Sequence, residues 1–167
     1  MNLNTLISSN AVICNDEIKS KKRALEILAE QLTAEALKSS PTQPNDSPSK
    51  MEADALELFQ LLTEREKLGS TSLGHGVALP HARTKQTDQA IGAFLKLNQG
   101  INFDSPDDQK TDLIFALMVP EHYTDAHLKI LAHLASIFND ESFCKNIRNT
   151  NDPNKIYNQL IERQLTS

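Results

Sequence analysis

The chain has 167 residues, 39% hydrophobic and 23% charged, with a net charge of −5 and a sequence pI near 5.5. That length sets one domain, 1–167, as the expectation. The acidic balance carries no broad basic surface, so nucleic acid is not an expected partner, and the longest uncharged apolar run, 113–120 (LIFALMVP), is too short to span a bilayer.

The first ten residues, MNLNTLISSN, lack a basic segment followed by a long apolar one, so no signal peptide is expected. Cys14 and Cys144 form no CxxC pair and read as small buried hydrophobes in a reducing, cytoplasmic compartment. Residues 11–14 (AVIC) are predicted as a short strand and 16–37 as a helix, with Ala24, Leu25, Ile27, Leu28, Leu32, Ala34 and Leu37 at helical spacing. The stretch 39–50, SSPTQPNDSPSK, holds three prolines, four serines and no apolar residue, and reads as a loop or flexible insert. A second helix is predicted over 51–67, striped by Leu56, Phe59 and Leu62 and ended by Gly69.

Three strands are predicted next. Residues 76–81 are short and apolar. Residues 90–97 alternate, with Ile91, Ala93, Leu95 and Leu97 on one face. Residues 113–119 are apolar on both faces, as a central strand would be. Helices over 124–139, 143–148 and 153–165 complete the chain. The order predicts an α/β layered domain with a mixed β-sheet flanked by helices.

The histidines are the candidate reactive groups. His127 falls at the third position of a helix capped by Thr124. There the helix dipole disfavours an imidazolium and favours a nearby anion. Projected at about 100° per residue, Leu128, Leu131, Leu134, Ala135 and Phe138 cluster on one side with His127 near its centre, and His133 falls toward solvent. By itself His127 reads first as a packing residue. His81 shares a strand face with Val77 and Leu79, and Pro80 removes a ladder donor, so the strand should be an edge or should end there. Arg83 and Lys85 add positive potential beside it. Local sequence leaves a surface histidine and a displayed reactive histidine equally open. His75, between Gly74 and Gly76, reads as an exposed turn residue, and His122 as a loop residue. The pairs His75/His81 and His127/His133 are each six apart and match no zinc motif, so no metal is expected.

The stretch TEREKLGSTSLGHGVALPHAR, 63–83, is more specific than any single residue, and it continues through INFDSPDDQKTDLIFALMVPEHYTDAHLKILAHLASIF, 101–138. Together these resemble the enzyme IIA family of the phosphoenolpyruvate-dependent phosphotransferase system, fructose/mannitol class, and within it the nitrogen-regulatory branch. The resemblance implies that His81 accepts a phosphoryl group from a histidine-phosphorylated carrier protein, that His127 and Arg65 stabilise it, and that the fold is an enzyme IIA-like sandwich. It implies no cofactor, and downstream target proteins that read the phosphorylation state. A sugar-specific enzyme IIA donating to a separate IIB protein is the alternative. A metal-dependent hydrolase using His75, His81 and His127, and a non-reactive binding module, are further readings. Two departures stand out. Ala82 occupies a position where the family has glycine, which matters if positive φ is required there, and the 39–50 insert is long.

Overall fold

A computed structural model of the chain describes residues 3–39 and 48–163. The first turns, Leu3–Thr5 and Ser9–Ala11, are short 3₁₀ segments that lead into strand β1, Val12–Asn15. Helix α1, Lys21–Ser39, begins later than the apolar spacing suggests. The Asn15 side-chain oxygen accepts the N–H groups of Glu17 and Ile18, which turns the chain there, and Ser20 Oγ accepts the Arg23 N–H at 3.1 Å to open the helix. Helix α2, Pro48–Lys67, begins with a proline, which suits a first turn. The expected 39–50 loop is therefore helical at its two ends, and the rest of it lies outside the described residues. Gly69, at φ +147°, follows α2 as the predicted stop.

Six strands form one mixed sheet: β1, β2 (Ser72–Gly74), β3 (Val77–Ala78), β4 (His81–Thr84), β5 (Ile91–Ile101) and β6 (Thr111–Pro120). The order is β1-β5-β6-β3-β2, with β4 also on β6. β6 is central, as its two-sided apolar pattern predicts, and every residue in it is buried except half-buried Asp112. It pairs antiparallel with β5 and parallel with both β3 and β4.

The predicted strand over 76–81 is interrupted. Pro80 has no N–H to give the ladder, and the Leu79 N–H turns away to Thr71 O at 3.1 Å. Pairing resumes at His81↔Leu117 in the register begun at Val77↔Leu113, so His81 opens a strand instead of closing one. Two-residue β3 and three-residue β2, the latter not anticipated, flank the turn at Gly74–His75–Gly76.

Helices α3 (Asp125–Phe138), α4 (Glu141–Arg148) and α5 (Pro153–Glu162) follow β6. Residues 164 and 165, expected in the last helix, lie outside the described residues. α3 is docked by aromatic packing: Phe138 stacks on Phe94 of β5 at 5.8 Å and meets Phe115 of β6 at 6.1 Å. Its buried stripe is Ile130, Leu134, Ile137 and Phe138, so the helix is rotated from the projection. Leu128 is 57% exposed instead of facing the core, and His133 is half-buried instead of solvated. On β5, Lys96 is buried and donates to Thr150 O and to Asn151 Oδ1 at 2.9 Å, which ties the α4–α5 connection to the sheet. Cys144 is buried and its thiol donates to Phe138 O, and Cys14 is half-buried; burial pushes both thiols up, as suits packing residues. No described helix is long and apolar enough to cross a membrane.

The aromatic packing leaves no room at Gly92, where an added Cβ would lie 2.6 Å from Phe115 Cε1 and 2.7 Å from its Cζ. Gly92→Ala is expected to cost about 1–3 kcal/mol by overpacking, read as a lower urea midpoint with unchanged slope. An unshifted midpoint would show that the Phe115 ring is free to move.

Candidate functional site

Three sequence-separated elements bring the proposed reactive groups together. β4 begins with His81, α3 carries His127 in its first turn, and α2 carries Arg65 in its last turn. The two imidazoles lie with centroids 6.3 Å apart and planes tilted by 39°. Both residues are half-buried, as is Arg65. His75 is placed elsewhere. It is exposed in its turn at φ +57°, its N–H donates to Asp107 Oδ2 at 2.9 Å, and its carbonyl accepts from Arg148 Nη2 at 2.7 Å. His122 sits exposed in the loop before α3, its ring edge-on to Tyr123. Among the described residues, no three His, Cys, Asp or Glu side chains are grouped to hold a metal ion.

The surroundings of His81 set its chemical state. Nδ1 lies 2.9 Å from the Leu79 carbonyl oxygen. A carbonyl oxygen can only accept, so Nδ1 carries the proton and Nε2 carries the lone pair. Burial pushes the His81 pKa below the usual histidine value. The Leu79 bond opposes that shift, the charges of Arg65 and His127 lower the pKa further, and Glu66 raises it. The net result is a neutral imidazole near pH 7 with one free nucleophilic nitrogen. Arg65 is held by a bond from Nη1 to Gly69 O at 3.0 Å. His127 Nδ1 is buried and has no hydrogen-bond partner, and Thr124, the expected cap, makes no side-chain bond to the helix.

Ala82 does not need the freedom of glycine. It is buried, paired with Met118 inside β4, and among the described residues the non-glycine residues with positive φ are His75, Asp104 and Asp108.

Glu66, which in the sequence reads only as a solvated neighbour of Arg65 at the helix end, is buried. It is 8% exposed, and its carboxylate acts electrostatically on His81. The signal was present: Ala55, Leu58 and Leu62 make a buried stripe whose next member on the helix is Glu66.

Comparison with known proteins converges on one family. The family model for "Phosphoenolpyruvate-dependent sugar phosphotransferase system, EIIA 2" matches residues 5–163. The chain belongs to that family. It is 34% identical to a nitrogen regulatory protein of Bradyrhizobium diazoefficiens over 160 residues, covering 96% of this chain and 95% of that protein. It is 33% identical to a nitrogen regulatory protein of Escherichia coli over 167 residues, covering 99% and 93%. The crystal structure of nitrogen regulatory protein IIA-Ntr from Neisseria meningitidis superposes with a TM-score of 0.77 at 33% identity, over 95% of this chain and 98% of that one. The IIA mannitol structure from Escherichia coli, with a TM-score of 0.68 at 20% identity over 92% and 97%, shares the fold. The mixed α/β sandwich expected from the family is thus the observed one.

The His81 imidazole is expected to titrate in an NMR pH series with a midpoint below the ~6.5 of an unperturbed histidine. Removing the positive charge in Arg65→Met should move that midpoint upward, while the burial contribution keeps it below the unperturbed value. A midpoint at or above the ordinary value in the native protein would contradict this electrostatic account.

Proposed function

We propose that this chain is a phosphocarrier of the nitrogen-regulatory enzyme IIA type. It takes a phosphoryl group from a histidine-phosphorylated carrier protein onto His81 and acts on partner proteins according to its phosphorylation state. The observation that carries the reading is the state of His81: neutral, with Nδ1–H committed to Leu79 O and Nε2 free, beside His127 and within the field of Arg65. The identity to nitrogen regulatory proteins over almost the whole chain favours this branch over a sugar-specific enzyme IIA with a separate IIB acceptor. Labelled transfer to a IIB cysteine would separate the two.

In the reaction, the P–N bond of the donor phosphohistidine breaks in line as a bond from His81 Nε2 to phosphorus forms. The proton on His81 Nδ1 stays on the Leu79 carbonyl bond, so the ring needs no general base. Charge on the three transferring oxygens meets the planar guanidinium of Arg65 and a ring nitrogen of His127. The same groups later steady the phosphoryl group for onward transfer. His81 is thus a transfer intermediate, charged and discharged in turn, and not the centre of a free-standing multiple-turnover enzyme.

Exposed apolar side chains flank these residues in sequence, Leu68 at 85% and Leu128 at 57% exposure, which suits docking of a protein donor more than a free sugar. The reading takes the chain as one domain, in keeping with the continuous hydrophobic cluster of the described residues. It also takes the location as cytoplasmic, in keeping with two unpaired cysteines.

The assay is transfer of label from phosphoenolpyruvate through a reconstituted relay. His81→Ala is expected to accept none, and wild-type stoichiometry in that variant would sink the acceptor assignment. His127→Ala and Arg65→Ala should each slow transfer by roughly 10- to 1000-fold, the range of a lost electrostatic donor, without changing the circular dichroism spectrum.

A further inference from the structure

A chain of hydrogen bonds runs from helix α2 to the reactive ring. It starts at Glu66. A leucine there would continue the apolar stripe of α2, whereas a buried carboxylate must have its oxygens satisfied. Glu66 Oε2 accepts the Thr71 N–H at 3.2 Å and pairs with Lys21 Nζ at 2.9 Å, and Oε1 accepts the Thr71 hydroxyl. Lys21 is held in turn by Asp104 Oδ2 at 3.2 Å and lies 4.7 Å above the Phe103 ring.

Thr71 is therefore clamped at both its N–H and its side chain, and it uses its carbonyl to accept the Leu79 N–H at 3.1 Å. On the far side of Leu79, the Pro80 carbonyl accepts the Leu117 N–H of β6 at 2.9 Å. The Leu79 carbonyl between these two anchors has little freedom, and it is the group that accepts from His81 Nδ1. We propose that Glu66 is a positioning residue: by clamping Thr71 it fixes the Leu79 carbonyl and so holds His81 in the Nδ1–H tautomer, leaving Nε2 as the sole phosphoryl acceptor. This rests on His81 being the acceptor. Loss of the clamp lets the carbonyl rotate away, the ring protonates at either nitrogen, and the phosphoryl group divides between the two.

The experiment reads ring ¹⁵N shifts of unphosphorylated His81, the ³¹P signals that distinguish the two phosphohistidine isomers, and the transfer rate. Wild type is expected to show one tautomer and the Nε2 isomer alone. Glu66→Ala should populate the second tautomer and the Nδ1 isomer and slow transfer by roughly 10- to 100-fold, as misplacement of a reacting group does. Thr71→Val, which removes only the hydroxyl bonded to Glu66, should shift both signals in the same direction by less, and Thr71→Ser should restore them. A single tautomer and a single isomer in both Glu66→Ala and Thr71→Val would overturn the proposal. If Glu66→Ala does not fold, Thr71→Val is compared with Thr71→Ser, and identical spectra overturn it equally. The tautomer measurement needs no phosphorylation, so labelling of His81→Ala would refute the acceptor assignment while leaving this test intact.

Discussion

The hydrogen-bond ladder of β6 is the constraint from which the site follows. This strand is paired on both edges and buried along almost its whole length, so neither its register nor its direction can change without stranding buried backbone groups. One edge holds His81 opposite Leu117. Beyond its carboxyl end the chain turns through Glu121 to Thr124 into α3, which returns His127 to the same place. The Phe94–Phe115–Phe138 packing then sets the position of α3 on the sheet. Two imidazoles far apart in sequence become neighbours because one strand serves as the common reference for both.

Around that pair, the protein balances opposed effects on a single ring. Burial and the nearby cation of Arg65 keep His81 neutral, while the Leu79 carbonyl and the Glu66 carboxylate work the other way. A neutral imidazole is required for nucleophilic attack, and the Leu79 bond selects which of its nitrogens is available. The opposing contributions are therefore a division of labour: desolvation sets the protonation state and the hydrogen bond sets the tautomer. Pro80 places the Leu79 carbonyl for the second of these roles. Its missing N–H frees the Leu79 segment from the β6 ladder, and its carbonyl restores the pairing one step later.

Several features are legible in the sequence alone. The two-sided apolar run of β6, the helical stripe of α1 and the exposed turn at His75 each follow from local periodicity or turn chemistry, whereas the stripe of α2 is shifted: Leu56 is exposed, and Ala55 and Leu58 are buried along with Leu62. The errors share a cause. The α3 projection puts Leu128 in the core because four of the first seven residues after Thr124 are apolar (Ala126, Leu128, Ile130 and Leu131) and leave several apolar arcs nearly equivalent, and the docking of Phe138 on Phe94 selects another. Local periodicity predicts a continuous strand over 76–81 because the diversion of the Leu79 N–H to Thr71 is a contact between non-adjacent segments.

By itself the sequence determined the fold class and marked His81, His127 and Arg65 through the resemblance of 63–83 and 101–138 to one family. Periodicity, turn residues and long motifs are local properties, and a linear reading captures them. Only the tertiary structure decided that His81 donates from Nδ1, that Ala82 needs no glycine-like freedom, and that Glu66 is buried with Lys21 and Thr71 as its partners. Tautomer, burial and the pairing of a buried charge depend on which distant groups come within bonding distance, and that is fixed by packing around β6.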